Sequence, residues 1–270
     1  FGTGSAMNTV ELMLQANPRL KVAVIDKDTP GGVCLTRGCI PSKILLYPAE
    51  LVRTAERMSE FGIDVSLNGV DFAKVMHRMR TIIDGDIERI KRGLSQSDNI
   101  DYFSMPAEFA APYRLRIGHD EITAPMIFLC TGSKPLIPKI QGLEEAGYQT
   151  SDSVLWMKKL PRSIAIVGGG YIAAEYSHFF SAMGSKVTII GRNPQFLPEE
   201  EPEVSALAKR ELGKHMDVIT GHEVREAKKT SDGKTISAVN MKTGEKLTVS
   251  ADEVLVAAGR ASNSDILHPE

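Results

Sequence analysis

Two cysteines stand five positions apart in the stretch GGVCLTRGCIPSK, residues 31–43, and a third, Cys130, stands alone. A close pair of thiols can hold a metal, staple a fold or exchange electrons. A structural zinc site needs four ligands, commonly arriving as two close pairs, and no second Cys/His pair with such spacing exists in the chain. No metal is therefore expected. A disulfide between Cys34 and Cys39 closes a loop of only four intervening residues, which restrains little unfolded-chain entropy, so stability is a poor reason for it. Redox exchange accounts for more of the surroundings. The run from Cys39 to Tyr47 reads as the opening of a helix with Pro41 in its first turn. Cys39 then lies at the positive end of the helix, where a thiolate is favoured, and Lys43 one turn on adds a cation. Cys34, in a preceding loop with Gly31 and Gly32, is expected to be the more exposed and mobile sulfur. Thiol–disulfide exchange requires such an unequal pair.

The elements that must position these thiols repeat one pattern. FGTGSAMNTVELMLQANPRLKVAVIDKD places a Gly-x-Gly turn before a helix, about Asn8 to Gln15, and an apolar strand, Lys21 to Ile25, ending at Asp26. SIAIVGGGYIAAEYSHFFSAMGSKVTIIGRN repeats the order: strand Ser163 to Val167, three glycines, helix Ile172 to Met183, strand Lys186 to Ile190. Both are βαβ units with a dinucleotide-binding signature, in which glycines let the backbone approach a pyrophosphate and the helix N-terminus faces its charge. In the second unit Gly168, Gly170 and Ala173 fit the G-x-G-x-x-G/A spacing; in the first, Gly2 and Gly4 are followed by the bulkier Met7 at the third place. No strand's worth of apolar residues precedes Gly2, so the first strand is expected to be incomplete. Asp26 stands 22 positions after Gly4, a placement suited to a ribose 2′-hydroxyl. The equivalent place in the second unit is Gly191, followed by Arg192. A missing acid beside an arginine leans towards a 2′-phosphate and hence NADPH.

Two amphipathic helices lie between the units, with stripes through Leu45, Ala49 and Val52 and through Phe72, Val75 and Met79. Met76 and Met79 read as core filler and His77 as surface. Alternating β-rich segments follow in YRLRIGHDEITAPMIFLCTGSKP; Pro135 to Gly147 reads as a linker, and the stretch after Asp217 as a meander turning at Asp-Gly and Thr-Gly. The fold class expected is α/β, with two Rossmann-like three-layer domains and β-meanders.

The 270 residues, 42% apolar and 24% charged, match a globular protein with room for two cores. A net charge of −2 gives no electrostatic reason for a nucleic-acid or membrane partner. No apolar run reaches the roughly 18 residues needed to span a bilayer, and three cysteines do not make a secreted disulfide scaffold. A soluble protein of a reducing compartment, the cytoplasm, is the expectation.

The cysteine segment resembles the active-site segment of the FAD-dependent pyridine nucleotide–disulfide oxidoreductases, the family of dihydrolipoamide dehydrogenase, glutathione reductase and mercuric reductase. LCTGSKP, GGGYIAAE and VLVAAGRASNSDIL extend the resemblance over nearly the whole chain. It implies an FAD-binding domain over 1–148, an NAD(P)-binding domain over 149–262, and a start of the return to the FAD domain over 263–270. The expected cofactors are FAD and NAD or NADP. Cys39 becomes the thiol beside the flavin and Cys34 the one that exchanges with substrate. Lys43 and Glu175 form an ion pair near the flavin, and Tyr171 falls at the place of an aromatic gate over it. Gly2, Gly4, Asp26, Gly32, Thr131, Gly132, Gly168, Gly170, Ala173, Arg192, Gly259 and Arg260 are expected to border the cofactors. The implied activity is dihydrolipoyl dehydrogenase-like, with a small-molecule or lipoyl-domain disulfide as substrate and a homodimer as the complete protein. An NADPH-using relative of glutathione or mercuric reductase, or a non-catalytic nucleotide-binding fragment, are the alternatives. The family continues with a dimerisation domain bearing a His-Glu acid–base pair, which His268 does not replace. The 270 residues are accordingly expected to be a fragment, inactive alone towards a disulfide substrate.

Overall fold

The structure is a computed structural model that describes residues 3–264; Gly2, His268 and most of the segment 263–270 lie outside the described residues. The chain opens with α1 (Ala6–Ala16), β1 (Val22–Ile25), the six-residue α2 (Gly32–Arg37), α3 (Cys39–Arg57) and α4 (Phe72–Ser95). Next come β2 (Ile100–Phe103), β3 (Ala107–Ala111), β4 (Arg114–Ile117), β5 (Asp120–Thr123) and β6 (Ser133–Pro135). The second half runs α5 (Leu143–Ala146), β7 (Gln149–Thr150), β8 (Ser163–Val167), α6 (Tyr171–Met183), β9 (Lys186–Ile190), α7 (Pro202–Leu212) and β10 (Asp217–Ile219). It closes with β11 (His222–Thr230), β12 (Gly233–Asn240), β13 (Lys246–Ala251), β14 (Glu253–Val256) and β15 (Arg260–Ser262).

Packing divides the chain into two discontinuous units, one of residues 1–41, 80–134 and 261–270, the other of 42–79 and 135–260. In the first, β1 pairs parallel to β2 in the register Val22 to Ile100, and β3, β4 and β5 form an antiparallel meander. Its core gathers Val10, Val22, Val24 and Leu94, with Met7 and Ile90 against them. Met7, too large for the third place of the glycine pattern, thus adds to the core, while Ala6 before it is buried. Residues 126–130, read as β-rich, carry no strand.

The second unit is built on a five-stranded parallel sheet, β10-β9-β8-β14-β7. Its central strands read as unbroken apolar runs because both faces are covered: Ile164, Ala165 and Ile166 are all at most 1% exposed. The meander β11-β12-β13 packs beside it, and its turns fall at Asp232-Gly233 and Thr243-Gly244 as the sequence implies. The stretch 135–147 is not a linker. Gln141 donates its N–H to Arg225 O and accepts one from Ala227, and Leu143 and Ala146 are buried in the core. Proline and glycine there shape a packed turn. Met76 and Met79 are core residues, and His77 is exposed.

α6 is held down by aromatic contacts. Phe179 and Phe180 are 1% and 0% exposed, their ring centroids lie 5.2 Å apart edge to face, and Phe72 of α4 stands 6.0 Å from Phe179. Phe179→Ala is expected to cost about 3–5 kcal/mol of stability. Chemical denaturation measures it, and a loss below about 1 kcal/mol would mean that this ring does not anchor α6.

Candidate functional site

The thiol pair is a product of two helix ends and one glycine. α2 stops at Arg37, α3 starts at Cys39, and only Gly38 separates them. A Cβ on Gly38 would lie 2.8 Å from Val33 O and 3.2 Å from the Cys34 Cα, so the chain folds back on itself there without room for a side chain. The reversal brings Cys34 Sγ within 2.8 Å of Cys39 Sγ. Cys34 does not lie in a loop as expected; it sits on α2, because the glycines at 31 and 32 take left-handed φ of 121° and 64° and start a helical turn. Both sulfurs are exposed. The neighbouring Cys39 sulfur, with some burial, pushes the Cys34 thiol above its ordinary value, against the backbone N–H groups of Cys39 and Ile40, which lower it. Gly38 had no weight in the sequence, where it reads as one more loop glycine.

The same unit carries the first nucleotide turn. A Cβ on Gly32 would lie 2.5 Å from Gly4 Cα, so two bare backbones touch beside the start of α1. Asp26 ends β1, and its carboxylate accepts from the Thr3 N–H at 3.2 Å, from the Thr3 hydroxyl, and from the Asp28 N–H at 3.1 Å. The Gly31 N–H donates to Thr3 Oγ1 at 2.9 Å. Thr3, buried, links the turn, Asp26 and the cysteine segment, a function not legible from a small residue between glycines. Gly132, at φ 68°, approaches Val33: a Cβ there would stand 3.4 Å from Val33 Cγ2. The Thr131 and Gly132 carbonyls accept from the side chain and N–H of Asn263. Gly4, Asp26, Gly32, Thr131 and Gly132 are thus described residues of this unit, each tied into it by its own chain.

The second unit holds the other turn. Gly168 has φ 135°, and a Cβ there would strike Ala257 O at 2.1 Å, whereas the same addition at Gly170 meets nothing within 4 Å. A side chain at Gly170 would thus have room beside the start of α6, where the first N–H groups of a helix lack intrahelical acceptors. Such a helix end is the kind of place where an anion can be held. Ala173, in the first turn of α6, is fully buried, as a small third residue should be. Lys43 Nζ pairs with Glu175 Oε1. The hydroxyl of Tyr171 donates to the Glu200 carboxylate, which pushes the phenol up. Glu200 belongs to a loop laid over the glycine turn: Leu197, at φ 50°, donates its N–H to Gly169 O at 2.8 Å. Arg192 is exposed at the start of that loop. Arg260 is bound within the fold, 3.2 Å from Ser151 Oγ and 3.7 Å from Asp152 Oδ1, and Gly259, at φ 124°, accepts from Leu136 N–H. Among the described residues no His, Cys, Asp or Glu cluster could hold a metal, and no helix is long and apolar enough to cross a membrane.

Comparison with known proteins gives four likenesses. The model of the family described as pyridine nucleotide-disulphide oxidoreductase matches residues 2–270. A mercuric reductase of Staphylococcus aureus is 30% identical over 271 residues, covering 100% of this chain and 49% of the relative. A dihydrolipoyl dehydrogenase of Bacillus subtilis is 33% identical over 278 residues, covering 97% of this chain and 57% of the relative. The solved HOCl-induced flavoprotein disulfide reductase RclA from Escherichia coli superposes with a TM-score of 0.84 at 28% identity, over 99% of this chain and 57% of that one. The α/β architecture with parallel sheets is the fold of that structure. The chain spans about half the length of these relatives.

Two measurements check the thiol geometry. Cys39→Ala removes the sulfur that raises Cys34, so the pH midpoint for alkylation of Cys34 should fall back towards about 8.5; an unchanged midpoint would show that Cys39 does not act on it. Gly38→Ala should slow disulfide formation at least tenfold by parting the sulfurs, as small misplacements of reacting groups do.

Proposed function

Because the chain belongs to the pyridine nucleotide–disulphide oxidoreductase family, we propose that it forms the cofactor-binding and thiol-bearing part of an FAD-dependent NAD(P)H:disulfide oxidoreductase of the dihydrolipoyl dehydrogenase kind. Residues 1–148 bind FAD and 149–262 the nicotinamide nucleotide. The observation that carries this is the exposed pair of sulfurs 2.8 Å apart at the N-terminus of α3. Bound flavin supplies the passage of two electrons between nicotinamide and thiols; the chain's own groups do the rest. Cys39, at the head of α3, is the thiol on the flavin side, where the helix's positive end favours negative charge. Cys34, exposed on α2, meets the substrate: a small-molecule or lipoyl-domain disulfide, whose S–S bond its thiolate attacks while the departing thiolate takes a proton. Lys43, neutralised by Glu175, keeps a fixed cation one helical turn beyond Cys39 in sequence. A homodimer in the cytoplasm is the setting proposed for the complete protein, where thiols stay reduced between turnovers.

For the nucleotide we propose that NADPH binds at least as well as NADH. A Cβ at Gly191 would stand 3.4 Å from the Gly169 Cα, an ordinary contact, so glycine is not demanded there by a backbone clash. The absence of a carboxylate next to Arg192 is then a statement about charge, and it favours a 2′-phosphate. This is also the observation behind a second reading, an NADPH-using relative of mercuric or glutathione reductase.

The purified protein should be yellow or take up added FAD. Anaerobic NADPH should then convert one disulfide into two alkylatable thiols at positions 34 and 39, NADPH giving up a hydride and solvent a proton, and Cys39→Ser should abolish the conversion. A protein that takes up no flavin overturns the proposal. Arg192→Ala should weaken NADPH binding about tenfold and leave NADH nearly unchanged, the scale of losing one charge-assisted phosphate contact; equal effects on both would refute the 2′-phosphate assignment.

A further inference from the structure

Between the two cysteines lies a cation with a partner outside the segment. Arg37, the last residue of α2, brings Nη2 to 2.5 Å from Asp28 Oδ2. Cys34 and Arg37 are three apart on that helix and so share a face. A six-residue helix forms too few internal hydrogen bonds to hold its own orientation, so contacts must fix it. One is the Thr36 hydroxyl, which donates to Gly32 O at 2.7 Å within α2 itself. Another is the contact at Gly38. The Arg37 pair is a side-chain tie from α2 to a residue outside it, and its far end is well anchored. The Asp28 N–H donates to Asp26 Oδ1 at 3.1 Å, and the Asp26 N–H donates to Phe103 O at 3.0 Å, at the end of the β1–β2 pair. Burial works to raise the Asp28 carboxyl, yet the hydrogen bonds and charges of Arg37 and Lys27 hold it below the usual carboxylate range. The side chains of Arg37 and Asp28 are 33% and 36% exposed, so the tie is screened only in part.

We propose that the Asp28–Arg37 ion pair is a positioning device for the thiols: it fixes the C-terminal end of α2 to the end of β1, holds Cys34 Sγ against Cys39 Sγ, and thereby sets the stability of the Cys34–Cys39 disulfide. The device deepens the redox role proposed for the cysteines and rests on it only in that the two sulfurs must be able to bond. Arg37 touches no reacting atom in this scheme and acts through the geometry of α2. Asp28 is shared with Lys27, so Arg37 keeps part of its charge. A pull on the thiolates would favour the reduced pair, and losing it would raise the oxidised fraction, the opposite of what a positioning role gives.

The test is an equilibrium with glutathione on the protein as purified, without nicotinamide. The Cys34–Cys39 bond forms as the S–S bond of one glutathione disulfide breaks; two electrons and the two thiol protons pass to two glutathione thiols. Trapped by acid and counted by mass, the oxidised fraction gives an equilibrium constant. Asp28→Asn and Arg37→Met should each lower it about fivefold, the scale of a partly exposed ion pair. Arg37→Lys should recover most of the loss, and Arg37→Met in the Asp28→Asn background should add nothing further. Constants within twofold of the parent in both folded single variants overturn the proposal, as does an undiminished effect of Arg37→Met once Asp28 is neutral. If Arg37→Met does not fold, the near-isosteric Asp28→Asn decides alone. A parent protein that forms no disulfide in excess oxidised glutathione sinks the redox role together with the device. A parent that forms one while the variants match it sinks the device only.

Discussion

Two sulfurs separated by four residues meet only if the chain turns back within that spacer, and Gly38 is where it does. The turn is tight enough that a single methyl group at position 38 would press on the Val33 carbonyl at 2.8 Å. From this contact the rest of the thiol site follows. α2 must end and α3 must begin on either side of one residue, so the N-terminus of α3, with its outward-facing N–H groups, is delivered to the place where Cys34 already stands. The backbone N–H groups of Cys39 and Ile40 lie close enough to lower the Cys34 thiol's proton affinity, and the Cys39 sulfur outweighs them. The two thiols thus differ in geometry: Cys39 is the first residue of α3, and Cys34 sits on α2 beside that helix end.

The nucleotide turns obey a similar rule with a different purpose. At Gly168 a side chain is impossible because the Ala257 carbonyl stands 2.1 Å from where a Cβ would be, while at Gly170 the space is open. The first glycine serves the sheet and the second serves whatever approaches the helix. The pair Gly4 and Gly32 does the former job between two segments distant in sequence, since a Cβ on Gly32 would come within 2.5 Å of Gly4 Cα. Glycine spacing alone therefore states that backbones come close; which of them faces a ligand depends on what packs behind.

Much of this was legible in the sequence where a local rule decides the outcome. β8 and β9 fall on the residues read as strands because buried parallel strands are continuous apolar runs, and α6 begins one residue earlier than its apolar pattern because Tyr171 completes the first turn. The helix that starts at Cys39 was legible from Pro41. The placement of Cys34 was not: α2 is specified by two left-handed glycines and by Asp28 and Thr3, residues distant from the cysteine in type and position. Residues 135–147 misled for the same reason, since proline and glycine mark a turn equally well whether it is solvated or, like this one, hydrogen-bonded to β11. Likewise Glu200 and Asn263 find their partners across 29 and 132 residues of sequence, a separation no motif reports.

The polar groups of the candidate site also differ in what they cost the fold. Lys43 and Glu175 have side chains 59% and 30% exposed, and a pair so open to water contributes at most about 1 kcal/mol to stability. Folding does not require it, so its reason lies in the fixed position it gives a cation and a carboxylate on facing helices. Asp26 is the opposite case. Its carboxylate already accepts from Thr3 twice and from Asp28, close to the roughly four acceptor positions such a group offers. An acid held in this way has little freedom left, and the residues that hold it, Thr3 and Asp28, are those that tie β1 to the cysteine segment. The Asp26 carboxylate and the thiol segment thus draw on one hydrogen-bonded framework, and a substitution at Asp28 would be felt by both.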